Sequence, residues 1–365
     1  MAARAGTPVR DRSALPQRLR EAWERQAWAN RGGPAARLLM PLAALYGLAA
    51  RAHRLGWRLR GAAQAPVPLI VVGNLVVGGA GKTPVVIALA EALRARGRHP
   101  GVISRGHGRD ADVTRAVRGS DDARDVGDEP LLIHRRTGAP VWVGRRRLDA
   151  ARALCAAHPE VDVLISDDGL QHRALVHDAA LVVFDGRGAG NGLLLPAGPL
   201  REPLPQRAPG HWQVLYTSGV PSTPLTGHCA APQAAGALPL GAWWRADAAA
   251  LQPLAALRGQ RLLALAGIGS PRKFFDTLRA AGLDIEPCPQ PDHARYDRPP
   301  WPPATAAVVT TEKDAVKLPA GCADATPVWV VPLDLALPAE LVDALLARLP
   351  RAAGTPSPRP APPTP

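Results

Sequence analysis

The chain has 365 residues, 47% of them hydrophobic, with 44 Lys and Arg against 31 Asp and Glu for a net charge of +13. That length and apolar content exclude a disordered chain and a minimal disulfide scaffold, and they leave room for two ordinary domains. Cys155, Cys229, Cys288 and Cys322 are scattered without a C-x-x-C spacing, so neither a disulfide framework nor a zinc site is indicated and a reducing compartment is the simpler inference.

The positive charge is uneven. Residues 1–66 hold twelve Arg against Asp11, Glu21 and Glu24, a local net charge of +9. The opening lacks a short basic head, apolar run and small-residue cleavage site, so no secretory signal is expected. Leu15, Leu19, Ala22, Trp23 and Trp28 suggest an apolar stripe on a partly helical segment. The following run, PAARLLMPLAALYGLAA from Pro34, is interrupted by Arg37 and Pro41 and ends in RAHRLGWRLR. It falls short of the roughly 20 uninterrupted apolar residues that cross a bilayer. An apolar helix flanked by Arg and carrying Trp23, Trp28, Tyr46 and Trp57 suits an anionic membrane surface, with a core helix packed on the main domain as the alternative.

From Leu69 the sequence LIVVGNLVVGGAGKT predicts a buried strand, a glycine-rich turn and a helix. In G-x-x-x-x-G-K-[ST] loops, backbone N–H groups close on phosphate oxygens, the Lys reaches the outer phosphates and the hydroxyl helps hold Mg²⁺. Gly78, Gly79, Ala80, Gly81, Lys82 and Thr83 form such a loop, although Val76 stands where the pattern opens with Gly. The helix VVIALAEALRARG stops near Gly97, and GVISRGHGR reads as a strand entering a basic turn. Residues 110–126 are polar loop or edge hairpin. GDEPLLIHRRTG sets Asp128 and Glu129 at a helix start, where the dipole favours carboxylates and a capping role would be the ordinary reading.

VWVGRRRLDAARALCAAH supplies a strand and a helix with Arg145, Arg146 and Arg147 at the turn. VDVLISDDGLQH ends a buried strand in two carboxylates, where a nucleotide-bound Mg²⁺ would meet an acidic residue. Asp167 closes that strand, and Asp168, Gln171 and His172 follow. ALVVFDG repeats the strand signal, and LLLPAGPLREP is a loop holding Arg201 and Glu202. WQVLYTSG and GAWWRA both read as strands. RLLALAGIGSPRKFFDTLRAAG is a second strand, turn and helix unit, PDHARYD places Asp292 and His293 in a loop, and TAAVVTTEKDAVKL and VWVVPLDL add two strands. Alternation of this kind predicts parallel sheets covered by helices. The expected division is a basic, membrane-interfacial helical segment over 1–65, a P-loop domain over 66–250, a smaller α/β domain over 251–350 and a disordered Pro-rich tail over 351–365.

Taken together, VGNLVVGGAGKTP, ISRGHGR, GDEP, SDDGLQH, GPLREP, AGIGSPRKFF, PDHARY and TTEKDAVKL, in that order over residues 66–335, resemble the tetraacyldisaccharide 4′-kinase family. The Val at the loop's opening position is similar to the family's own departure from the general pattern. The resemblance implies ATP-dependent phosphorylation of the 4′-hydroxyl of a membrane-embedded glycolipid, tetraacyldisaccharide 1-phosphate, giving lipid IVA. It also implies a P-loop NTPase-like α/β fold with a second, smaller α/β domain, an N-terminal helix at the cytoplasmic face of the bacterial inner membrane, and ATP and Mg²⁺ as cofactors. No obligate protein partner is implied. Carried over, Asp128 is the general base partnered by His293, Lys82 and Thr83 serve ATP, and Thr83 and Asp167 serve Mg²⁺. Glu129, Arg147, Asp168, Gln171, His172 and Glu202 line the site. His107 stands where the family usually has Tyr, and Arg145 and Arg146 compete with Arg147.

The chemistry is coherent without the family. Phosphoryl transfer needs positioning and charge neutralisation, and a carboxylate that takes a hydroxyl proton contributes about 10²–10⁴-fold. A P-loop ATPase or GTPase acting as a switch or metallochaperone is the competing class, but its guanine-reading N-K-x-D motif and its Cys/His metal cluster are missing from the sequence. A nucleic-acid binder would place its arginines among stacking aromatics on a sheet, whereas here they flank an apolar helix.

Overall fold

The structure, a computed structural model, describes residues 23–28, 33–319 and 321–350. Leu15, Leu19 and Ala22 of the expected N-terminal stripe and the tail over 351–365 lie outside them. The described residues form two compact units, one gathering those up to His53 with Leu75–Val77 and Ala189–Leu204, the other holding Arg54–Asn74, Gly78–Gly188 and the described residues from Pro205 on.

In the first unit, the loop of residues 189–204 is tied to the N-terminal segment by hydrogen bonds. The Trp23 indole N–H donates to the Pro196 carbonyl at 2.7 Å, and the Tyr46 hydroxyl donates to that of Arg201 at 3.0 Å. Helix α1 (Pro34–Arg60) continues ten residues past the apolar run. At about 100° per residue, Leu38, Leu42, Leu45, Leu48, Leu55 and Leu59 fall on one face. All six are exposed, Leu38 by 81% and Leu59 by 80%. Ala36 and Ala43 fall roughly opposite and are buried. Gly47 lies on that same inner side, where an added Cβ would meet Leu194 at 3.0 Å. The small residues thus pack inward, and Leu38, Leu42, Leu45 and Leu48 face away from the first unit's own core. No helix of the described residues is long and apolar enough to cross a membrane.

The second unit is built on two sheets. The larger contains β1 (Leu69–Gly73), β2 (Pro100–Ser104), β3 (Arg115–Ala116), β4 (Val141–Val143), β5 (Val163–Asp167), β6 (Ala179–Phe184), β7 (Trp212–Tyr216) and β8 (His228–Cys229), in the order β3-β4-β2-β5-β1-β6-β7-β8. All neighbours run parallel except the β3–β4 edge pair. Every residue of β1, β2, β5 and β6 is buried, as continuous apolar runs flanked by helices on both faces should be. Helices α2 (Lys82–Arg94), α3 (Ala123–Val126), α4 (Asp128–Thr137) and α5 (Arg147–Ala157) lie between these strands in the chain. A two-stranded antiparallel ladder joins β9 (Gln233–Ala234) to β15 (Leu333–Asp334).

The smaller sheet takes β10 (Leu238–Pro239), β11 (Arg261–Ala266), β12 (Asp284–Pro289), β13 (Val308–Thr311) and β14 (Val328–Val331) in the order β10-β14-β13-β11-β12, parallel apart from β10. Its helices are α6 (Leu240–Trp244), α7 (Pro271–Ala280), α8 (Glu312–Ala315) and α9 (Ala339–Leu346). Its edge strand reaches back to Leu238, and one apolar cluster runs from Ile70 and Leu93 through Leu215 to Val308 and Leu345.

The strand expected at GAWWRA is instead helix α6. A short apolar run is ambiguous between strand and helix on periodicity alone, and tertiary contacts decide it here. Trp243 is buried with its indole N–H on Glu312 at 3.0 Å, while Trp243 and Trp244 both hold the Arg135 guanidinium against their rings. Two adjacent residues serving one partner suit a helical turn better than the opposite-facing side chains of a strand.

Asp314, at 0% exposure, organises the end of β13. Its carboxylate accepts from the Thr311 hydroxyl at 2.7 Å, the Gly267 amide at 2.9 Å and the Tyr296 hydroxyl at 2.9 Å, and it pairs with Lys317 at 2.9 Å. Asp314→Ala strands several buried donors and is expected to lower stability by about 3–5 kcal/mol. Tyr296→Phe removes a single donor and should cost about 1 kcal/mol. Urea midpoints of the two variants check the difference.

Candidate active site

The phosphate loop follows β1. Gly73 must approach the SDDGLQH turn closely, since a Cβ there would lie 2.6 Å from Leu170 Cβ. Gly78 and Gly81 adopt φ of 88° and 72°, the left-handed region that glycine enters without steric cost. Gly81 is the N-cap of α2 and brings no side chain to its first turn, so the helix presents backbone N–H groups and its positive dipole end to an anion. The Lys82 ammonium lies 3.1 Å from Asp168 Oδ1 and 3.4 Å from Asn74 Oδ1. The Asn74 side-chain amide reaches the Gly78 carbonyl at 3.5 Å, and the Gln171 amide donates to the Asn74 carbonyl at 3.0 Å. Asn74, wholly buried, was missed from the sequence. Its signal was a polar residue inside an otherwise apolar run.

Asp167 closes β5 as expected and is buried. It accepts from the Ser104 hydroxyl at 3.3 Å. Burial pushes its carboxyl up to about 7, with the neighbouring charges of Glu129 and Asp168 adding to the effect and Lys82 and Arg147 opposing it. Of the three competing arginines, Arg145 and Arg146 are exposed, and Arg145 pairs with Asp112. Arg147 is buried and donates from Nη2 to the Asp167 carbonyl at 3.1 Å and the Asp168 carbonyl at 3.4 Å. It therefore fixes the turn that presents both carboxylates.

The second cluster joins the two sheets. Asp128 is the first residue of α4, whose N-cap is Gly127. Its Oδ1 accepts the Glu129 amide at 2.9 Å, but the carboxylate is directed mainly at His293, whose Nδ1 lies 3.0 Å from Oδ2 and 3.2 Å from Oδ1. A neutral imidazole holding this bond carries its proton on Nδ1. Burial works to raise the Asp128 carboxyl, yet the His293 hydrogen bond and the charges of Lys313, His293 and Lys317 outweigh it and leave the group below its ordinary value. The His293 imidazole is raised, first by its hydrogen bond to Asp128, against burial. His293 holds φ at 58° and Asp168 at 47°, both strained for side chains with a Cβ.

Lys313, in α8, binds Glu129 Oε1 at 3.0 Å and Asp292 Oδ1 at 3.1 Å, with Asp128 Oδ2 at 3.9 Å. Its place in the TTEKDA motif was visible in the sequence, but its role was not. A small cleft beside the pair is lined by His107, Asp128, His293, Tyr296 and Lys317 among others, and His107 sits edge-on to His293 with ring centroids 5.1 Å apart.

His172 is not brought to this pair. It lines a separate groove with Arg173, His177 and His211, where burial, then Arg147 and Arg105, lower its imidazole to about 4. Glu202 belongs to the first compact unit.

A family model described as tetraacyldisaccharide-1-P 4′-kinase matches residues 35–350. A curated tetraacyldisaccharide 4′-kinase from Methylibium petroleiphilum is 53% identical over 322 residues, covering 86% of this chain and 89% of that one. The protein of the same name from Leptothrix cholodnii is 52% identical over 335 residues, covering 89% and 95%. Among solved structures, LpxK from Aquifex aeolicus in complex with ATP superposes with a TM-score of 0.70 at 24% identity, covering 86% of this chain and 99% of that one. The likeness of fold extends the α/β architecture expected from the sequence to a solved protein.

The contrast among the three arginines is measurable. Arg147→Gln is expected to cost about 1–3 kcal/mol by leaving buried carbonyls without their donor, whereas Arg145→Gln and Arg146→Gln should stay within about 0.5 kcal/mol of the parent. Thermal melts of the three variants check this.

Proposed function

The chain belongs to the tetraacyldisaccharide-1-P 4′-kinase family, and from that premise we propose that it transfers the γ-phosphate of ATP to the 4′-hydroxyl of tetraacyldisaccharide 1-phosphate to form lipid IVA. The observation that supports the reading best is the adjacency of a helix-opening phosphate loop, a buried acidic strand end and a hydrogen-bonded Asp–His pair. Ser104 donates to Asp167 at 3.3 Å, and Gly106, two residues further on, packs against Gly127 at the start of α4, where an added Cβ would lie 3.1 Å from the Gly106 Cα, so the two clusters adjoin.

The α2 N-terminus and Lys82 fit the triphosphate. Lys82 is held at the loop by Asp168 and Asn74, where its ammonium would meet the outer phosphates. The donor set also fits Mg²⁺, since Asp167 is a hard oxygen ligand, buried at the strand end with the Glu129 and Asp168 carboxylates near it. Asp167 and the Thr83 hydroxyl would hold the ion with phosphate oxygens and water, and it would neutralise charge on the transferred group.

Asp128 accepts the sugar hydroxyl proton as the hydroxyl oxygen forms its bond to phosphorus and the bond from phosphorus to the ADP oxygen breaks. His293 holds the carboxylate through Nδ1–H and shares the charge. A pair that already carries an extra proton is an imidazolium–carboxylate ion pair and a poor acceptor, so the reaction requires the proton-free form.

The substrate's acyl chains keep it in a bilayer, so the enzyme works at that surface. The leucine face of α1, with Arg37, Arg51, Arg54, Arg58 and Arg60 on the same helix, is suited to lie among lipid headgroups at the cytoplasmic face of the inner membrane.

Phosphate transfer from ATP to purified tetraacyldisaccharide 1-phosphate in detergent micelles tests the activity, and intact ATP binding with no product would overturn it. Asp128→Ala is expected to lower kcat by 100-fold or more, on the order of a lost general base, with ATP affinity nearly unchanged. In the parent, kcat/KM should fall as pH drops through a midpoint above the ordinary imidazole value of 6.5; a midpoint at or below it would remove His293 from the reaction. For the membrane, Leu42→Glu with Leu45→Glu is expected to reduce co-sedimentation with anionic vesicles several-fold, and unchanged binding would count against the interfacial helix.

A further inference from the structure

Lys313 is the cation on which the carboxylates around the reacting pair converge. Its ammonium bridges Glu129 on α4 and Asp292 in the loop after β12, and it stands 3.9 Å from Asp128. Its side chain is 16% exposed. Its neighbour Glu312 pairs with Arg136 at 2.7 Å and holds the Trp243 indole, while Asp314 takes the bonds already described, so α8 is anchored on both sides of Lys313. A four-residue helix pinned in this way delivers one charge to one place.

We propose that Lys313 is a positioning residue of the phosphoryl-transfer step: its ammonium fixes Asp128 and Glu129 against the Asp292–His293 loop, and its charge opposes the loading of an extra proton onto the Asp128–His293 pair. The inference rests on the kinase reading above.

The physical need is plain. A buried carboxylate bonded to an imidazole raises that imidazole's affinity for a proton, and a pair left to itself would load the proton and lose its capacity as a base. Among the described residues, the groups around His293 are Asp128 from α4, Lys313 and Lys317 at and beyond α8, Asp292, Arg295 and Tyr296 in its own loop, His107 from the loop after β2, and Asp122 and Arg124 at the start of α3 across the shared cleft. Asp128 and Asp292 push His293 toward the charged form; Lys313 pushes it back. The same ammonium holds the Asp128 carboxyl low. Lys313 itself stays protonated, because Glu129, Asp128 and Asp292 together outweigh its burial. It is thus a fixed charge that opposes protonation of both members of the pair.

The test is the pH profile of kcat/KM for the full chain in micelles with ATP, Mg²⁺ and tetraacyldisaccharide 1-phosphate. Lys313→Gln is expected to move the acidic limb upward by about 0.5–1 pH unit, the scale of one unit charge near a partly buried group. At pH 7 this lowers kcat/KM up to about tenfold, with ATP affinity nearly unchanged. Lys313→Arg, which keeps the charge, should leave the midpoint at the parent value. If Lys313→Gln does not fold, the same shift is read between Glu129→Gln and Glu129→Gln/Lys313→Gln, a pair with one buried carboxylate fewer. A midpoint that stays put when the Lys charge is removed would overturn the proposal even if activity falls, because a merely structural lysine changes amplitude and not midpoint. Failure of the parent chain to phosphorylate the glycolipid would instead overturn the kinase reading.

Discussion

Parallel strands end on a common edge, and the polar residues of the candidate site are gathered by that constraint. In the larger sheet, β1 ends in the phosphate loop, β2 in Ser104 and the His107 turn, β4 before Arg147, and β5 in Asp167. In the smaller sheet, β12 ends before Asp292 and His293, and β13 runs into Lys313. Open α/β sheets bind ligands outside the carboxyl ends of their strands because helix N-termini and strand-end loops converge there. Here the carboxyl-end loops of the two sheets supply one member each of the Asp128–His293 pair. Neither sheet alone holds a base with its partner.

Concentrating carboxylates at such an edge carries a desolvation cost, and the chain meets it differently at each position. Asp314 is saturated with hydrogen bonds and a lysine, and its role is to hold the end of β13 in place. Asp128 is stabilised as an anion by His293, Lys313 and Lys317, although burial opposes this. Asp167 lacks comparable relief, so its proton affinity rises. A carboxylate raised by burial beside two others is suited to meet a hard cation, and a carboxylate held as an anion by nearby cations stays proton-free and so available to accept a proton. Position along the edge, rather than residue type, separates the roles.

Much of this arrangement was legible in the sequence. The continuous apolar runs of β1, β5 and β6 and the glycine loop after β1 required parallel, doubly covered strands. Asp167 was recognisable as a strand end, whereas the pairing of Asp128 with His293 came only from the family resemblance, since the residues by themselves allowed a helix cap and a loop histidine. What could not be read was which neighbour each charge would meet. Arg145, Arg146 and Arg147 are chemically identical in sequence, and only the start of α5 turns Arg147 inward. His172 follows Gln171 in the turn after β5, yet Gln171 reaches the Asn74 carbonyl at the phosphate-loop entry while His172 lines a different groove. Lys313 lies in a motif whose visible features were its carboxylates, and its significance depends on Glu129 and Asp292 arriving from two other elements. The helix at GAWWRA was hidden for the same reason, since Arg135 and Glu312, not local periodicity, decide its backbone.

Strain marks the same places. Asp168 and His293 both hold positive φ, one beside Lys82 and the other against Asp128. Such conformations cost on the order of 1–3 kcal/mol each and persist only where the surroundings over-determine them. For Asp168 the over-determination comes from Arg147, which binds the carbonyls of Asp167 and Asp168 together. For His293 it comes from both ends of the side chain's setting: the Asp292 carboxylate accepts the His293 amide at 3.1 Å and is itself held by Lys313, while Nδ1 is held by Asp128. The imidazole is therefore fixed through its backbone and its ring by groups that all lead to one lysine. Relaxing that backbone would turn His293 away from Asp128, so the strain and the charge network serve a single geometric end, a carboxylate and an imidazole held at hydrogen-bond distance before any substrate arrives.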